Sequence, residues 1–141
     1  MKLDLKLFLC LMMGAFLFVG CDSDDDHNHD HDDGNEISIQ IFHPEENQIV
    51  SAEEAENLLI SLEVIATDEN HDIYIELYPA DDASDKVLDF HVHLHNPIYT
   101  FDETLDISEY SSGTSFILNV RAALDHDGHE HVESQIEFSK E

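Results

Sequence analysis

From Ile37 to Phe138 the chain alternates apolar and polar residues in short runs separated by polar turns. A period of two sends successive side chains to opposite faces of an extended backbone, so each run describes a strand with one buried face. Ile37, Ile39 and Ile41 form the first run, and Leu58, Ile60, Leu62 and Val64 the second. Ile73, Ile75 and Leu77 follow, then Leu88, Phe90, Val92 and Leu94. A weaker run extends from Tyr99 and Phe101 to Ile107. Phe116, Leu118, Val120, Ala122 and Leu124 make the clearest one, and Val132 to Phe138 closes the chain. Seven short strands without a long helical period predict an all-β domain over residues 36–141, built as an antiparallel β-sandwich. The one interruption is Ser51-Ala52-Glu53-Glu54, whose capping-box spacing predicts a helical turn before Leu58.

The segment Gly113-Thr114-Ser115-Phe116-Ile117-Leu118-Asn119-Val120-Arg121-Ala122 resembles the penultimate strand of fibronectin type III domains, with Phe116 where that family usually has tyrosine. Together with the strand count, the resemblance implies a seven-stranded immunoglobulin-like (fibronectin III-like) sandwich. It implies a fold and no activity.

Met1 to Lys6 carries two lysines, and Leu7 to Gly20 is an apolar run ending at a cysteine. A membrane span needs about 20 apolar residues, so the run suits a signal-peptide core better than a span. Phe18-Val19-Gly20-Cys21 resembles a bacterial lipobox, in which a small residue precedes a cysteine that is lipidated and becomes the new N-terminus. That resemblance implies a lipoprotein signal peptide at residues 1–20 and a membrane anchor on Cys21. Cys10 would leave with the signal peptide, so neither a disulfide framework nor a cysteine metal site is expected. Asp22-Ser23-Asp24-Asp25-Asp26 resembles the short export signal of Bacteroidota-type lipoproteins. It implies an outer-membrane lipoprotein, displayed on the cell surface in preference to the periplasmic face. Residues 21–35 hold aspartates and histidines but no large apolar side chain, the composition of a disordered tether.

The chain carries 33 acidic and 5 basic side chains, a formal net charge of −28 with histidine neutral. Phosphate contacts need a basic patch, so nucleic acid is excluded as a partner. There is no G-x-S-x-G elbow, H-E-x-x-H helix, phosphate loop or cysteine nucleophile, and no enzymatic activity is expected.

Eleven histidines are the compositional oddity. His91, His93 and His95 alternate with Val92 and Leu94, so all three imidazoles leave the core face of one strand. The hairpin from Asp72 to His95 turns near Asp82, which brings His71 back opposite residues 93–95. Asp125-His126-Asp127-Gly128-His129-Glu130-His131 joins the last two strands, and in such a sandwich it lies at the same pole. His71, His91, His93, His95, Asp125, His126, Asp127, His129 and His131 are therefore the candidate metal ligands. The tail enters the first strand at that pole and adds weaker sites at His27, His29 and His31, whereas His43 falls at the far end. Imidazoles among carboxylates favour zinc, with copper and nickel behind it. Calcium ranks lower, because Asp30-His31-Asp32-Asp33-Gly34 misplaces the glycine of an EF-hand loop and lacks its final glutamate.

The layout resembles small Bacteroidota-type lipoproteins that carry a histidine-rich immunoglobulin-like domain. The expected function is a lipid-anchored, extracytoplasmic protein that binds a transition metal, zinc first, and passes it to an outer-membrane transporter. The alternative is a surface adhesion or carbohydrate-binding module with incidental histidines, for which Tyr74 and Tyr78 on one outer strand face would form the stacking platform.

Overall fold

The computed structural model describes residues 34–141. The expected signal peptide, the lipidation site Cys21 and the tail histidines His27, His29 and His31 lie outside the described residues. The elements run β1 (Ile37–His43), β2 (Ile49–Val50), α1 (Ala52–Ala55), β3 (Leu58–Ala66), β4 (Asp72–Pro79), β5 (Leu88–His93), β6 (Ile98–Leu105), β7 (Ser115–Ala123) and β8 (His131–Lys140). Each of the seven expected runs forms a strand. The count is nevertheless eight among the described residues, because β2 pairs in parallel with the end of β8. At two residues, β2 is too short for alternation to be visible. The helical turn begins at the expected box: Ser51 Oγ accepts from the Glu54 N–H, and the Glu54 carboxylate accepts from the Ser51 N–H.

Two sheets form a sandwich-like arrangement, one ordered β1-β3-β6 and the other β2-β8-β7-β4-β5. Between them lies one apolar core. Leu58, Ile60, Leu62 and Val64 of β3 meet Ile73, Ile75 and Leu77 of β4 and Phe116, Leu118 and Val120 of β7, all at most 4% exposed. Burying each of these side chains is worth about 1.5–3 kcal/mol, which makes the alternating pattern the main determinant of the fold.

Register brings three connections to one pole. Ile37 at the start of β1 stands opposite Ala66 at the end of β3, and from there residues 67–71 cross to the other sheet. Asp72 stands opposite His93, after which residues 94–97 cross back to β6. Ile73 stands opposite Ala122, so the turn between β7 and β8 lies at this pole too. His43 is opposite Ser61 at the other end of β1, beside a cis His43–Pro44 peptide.

Candidate metal centre

The two crossings are stitched together by Asn70, which is fully buried. Its Nδ2 donates to the carbonyls of Asn96 at 3.0 Å and Pro97 at 3.1 Å, and its backbone N–H donates to Asn96 O at 3.0 Å. On either side, the Ala66 N–H donates to Pro97 O and the Leu94 N–H donates to His71 O. These bonds set His71 beside His95. From outside, Asn35 Nδ2 donates to Glu69 O at 2.9 Å, and Asn35 Oδ1 accepts from the Asp68 N–H at 3.2 Å. Asn35, the last residue of the expected tether, thereby fixes the backbone at Glu69.

The turn between β7 and β8 supplies another imidazole. Gly128 adopts φ +66°, a conformation costly for a residue with a Cβ. The Gly128 N–H donates to Asp125 O, the His129 N–H to Asp125 Oδ1 and the Leu124 N–H to Glu130 O. This closed turn holds His126 over the crossings, its ring centroid 4.4 Å from that of His71 and 5.2 Å from that of His95.

Glu69, His71, His95 and His126 thus form a group that can hold a metal ion, with one ligand atom from each lying within 4.8 Å of the others. Glu69 approaches two of the imidazoles, Oε1 at 3.9 Å from His71 Nδ1 and Oε2 at 3.3 Å from His95 Nδ1. The His71 side chain is only 6% exposed. Its Nδ1 is buried and has no hydrogen-bond partner among the described residues. Tetrahedral zinc with Zn–N near 2.0–2.1 Å sets ligand atoms about 3.3 Å apart. The group is therefore wider than a loaded zinc site, and closing it calls for side-chain movement at Glu69 as well as at the exposed His95 and His126.

Beside this group lies a second arrangement. His91 Nε2 is 2.7 Å and His93 Nδ1 3.2 Å from the same oxygen, Oδ1 of Asp72. The hydrogen bond from His91, and after it that from His93, hold the Asp72 carboxyl below its ordinary range, against the opposing push of partial burial. The His91 ring is stacked on Tyr74 at 4.4 Å and 10°. His93 lies edge-on to His95, with centroids 4.9 Å apart, and 6.2 Å from His126.

The four-ligand group therefore unites three of the expected residues, His71, His95 and His126. His91 and His93 stand next to it, held by Asp72. Asp125, Asp127, His129 and His131 are not part of it. One oxygen of Asp125, Oδ1, accepts from the His129 N–H, Asp127 and His129 are exposed at the turn, and His131 already belongs to β8 opposite Ala123. Glu69 is not among the ligands the sequence leads one to expect. One acidic residue in 33 carries no signal of its own, although its place two residues before His71 in the same crossing was a usable one. Tyr74 and Tyr78 do not form an open platform. Tyr74 is flanked by His91 and by the Arg121 guanidinium at 4.6 Å, and Lys86 Nζ sits 4.3 Å over the Tyr78 ring.

No protein-family model matches the chain, and no curated protein matches it. Among solved structures it is similar to OgpA from Akkermansia muciniphila, at 14% identity and a TM-score of 0.45 over 75% of this chain. The chain spans 28% of the length of that structure.

Proposed function

We propose that this protein is a lipid-anchored, extracytoplasmic zinc-binding protein of immunoglobulin-like fold, and that Glu69, His71, His95 and His126 are its ligands. The observation that carries this reading is the buried Nδ1 of His71, unpartnered among the described residues and facing a carboxylate within a ring of imidazoles. Leaving such a nitrogen unsatisfied costs about 1–3 kcal/mol, and a bound cation removes that cost. Three imidazoles with one carboxylate are a borderline-to-hard donor set suited to zinc, and four protein ligands make a closed site that stores or delivers an ion without activating water. The immunoglobulin-like assignment draws support from the sheet orders, with β2 as an added short strand against β8.

Anchoring through Cys21 follows from the lipobox-like segment, and surface display from the aspartate-rich stretch behind it. An acidic metal binder held at the outer membrane is suited to capture zinc for a transporter in that membrane. The carbohydrate-binding alternative loses its sequence basis, since Tyr74 and Tyr78 already have cations or imidazole against their rings.

The test is elemental analysis of protein purified without a histidine tag from zinc-supplemented cells. One zinc per chain supports the reading, and its loss in the His71→Ala protein places it. A metal content equal to that of a histidine-poor control protein would overturn it. Fractionation of cells expressing Cys21→Ser tests the anchor separately: release into the soluble fraction is expected, and unchanged detergent partitioning contradicts it.

A further inference from the structure

We infer that His93 is the exchange ligand of this centre, the imidazole through which zinc is taken up and given away, and that Asp72 is its positioning residue. The inference rests on the zinc-binding reading and adds to it the route by which the ion moves.

Four groups complete the usual coordination of zinc without His93. His93 is therefore surplus to the resting site, yet its ring lies beside two of the resting imidazoles, those of His95 and His126. Its side chain is 48% exposed against 6% for His71, and its ring lies 4.9 Å from that of His95. An ion travelling between water and His71 passes the exposed imidazoles first.

The orientation of His93 is controlled by more than chance packing. An ionised carboxylate only accepts hydrogen bonds, so the contact with Asp72 Oδ1 requires the proton of His93 on Nδ1. Nε2 then keeps its lone pair. Carboxylate–imidazole pairs of this kind fix the tautomer and ring angle of metal-binding histidines and raise their basicity. Asp72 is itself held by His91 Nε2, and the His91 ring is steadied by its stack on Tyr74. An incidental surface histidine has no need of that support.

A fifth donor next to a four-coordinate ion opens a low route for exchange, because zinc tolerates five ligands transiently. Bonding to His93 before a resting ligand lets go avoids a three-coordinate ion. The same group serves capture and release, so its removal slows both rates together and leaves their ratio, the affinity, nearly unchanged.

The test uses the full chain with His27, His29 and His31 replaced by alanine, loaded with one equivalent of Zn²⁺ and mixed in a stopped-flow instrument with a chromogenic zinc chelator. His93→Ala is expected to slow release and uptake about tenfold or more while affinity moves less than about threefold, with Asp72→Asn falling between it and the parent. Free imidazole added to His93→Ala is expected to restore the rate, an effect that a merely structural role would not produce. Unchanged exchange rates in His93→Ala overturn the inference while leaving the zinc site standing. A loss of affinity on the order of 100-fold overturns it as well, by making His93 a resident ligand. If the parent takes up no zinc, the zinc-binding reading fails and this inference with it.

Discussion

The Nδ1 atom of His71 lies 3.9 Å from Oε1 of Glu69, inside the fold, where the His71 side chain is only 6% exposed. The two residues share the crossing from β3 to β4, so the backbone bonds that fix one also fix the other. A buried imidazole, a half-buried carboxylate and two exposed imidazoles form a graded site, closed on the protein side and open to solvent through His95 and His126.

Removing one resident imidazole leaves three donors, and zinc affinity should fall by about 100-fold or more in His71→Ala, His95→Ala and His126→Ala. Glu69→Gln should cost less, because the amide oxygen remains a weak donor. His43→Ala, at the opposite end of β1, should stay within about threefold of the parent. Competition against a chelator of known affinity provides the ranking.

Asn70→Ala should lower stability by about 1–3 kcal/mol, because the Asn96 and Pro97 carbonyls lose the donor that joins the crossings. Urea denaturation in chelator reads that loss. Zinc affinity should fall as well, since the same bonds place His71 beside His95. A variant destabilised to this degree with unaltered affinity would mean that the crossings hold their positions without Asn70.

Zinc should stabilise the protein by linkage, as its ligands come from three separate connections. At a free concentration 100 times the dissociation constant the gain is about 2.7 kcal/mol, worth about ten degrees or more in melting temperature for a domain of this size. Differential scanning fluorimetry with and without zinc checks that gain.

Asp72 predicts a separate acid effect in the metal-free protein. Its hydrogen bonds from His91 and His93 lower the carboxyl pKa in the folded state. The unfolded state therefore takes up the proton first as pH falls. The contribution is fully present above the ordinary aspartate value near 4 and is lost as pH drops through the lower folded value. The stability difference between parent and Asp72→Asn in chelator should therefore close as pH falls below about 4. Urea midpoints for the two proteins measure it.

Much of this arrangement was legible because strand chemistry is periodic. Ile73, Ile75 and Leu77 announce a strand, and their spacing fixes which residues face out. The hairpin length then returns His93 opposite Asp72, close to where the sequence put it. What stayed hidden depends on connections rather than on periods. Glu69 and Asn70 sit in a crossing with no alternation: Asn70 acts through carbonyls at Asn96 and Pro97, 26 and 27 residues away, and the Glu69 carbonyl is held by Asn35, 34 residues before it. The turn at Asp125–His131 is uniformly rich in ligands by sequence, but it is folded on Asp125, and of its residues His126 joins the four-ligand group. β2 leaves no mark in the sequence because two residues cannot show a period.

Calorimetric titration of Zn²⁺ into the full chain at pH 7.5, with His27, His29 and His31 replaced by alanine, tests the central claim most directly. One ion per chain is expected, with a dissociation constant at or below about 1 μM, corresponding to at least about 8 kcal/mol of binding free energy. The same titration with His71→Ala should give binding weaker by about 100-fold or more. Absence of binding in the parent, or equal binding in the His71→Ala protein, would contradict the account.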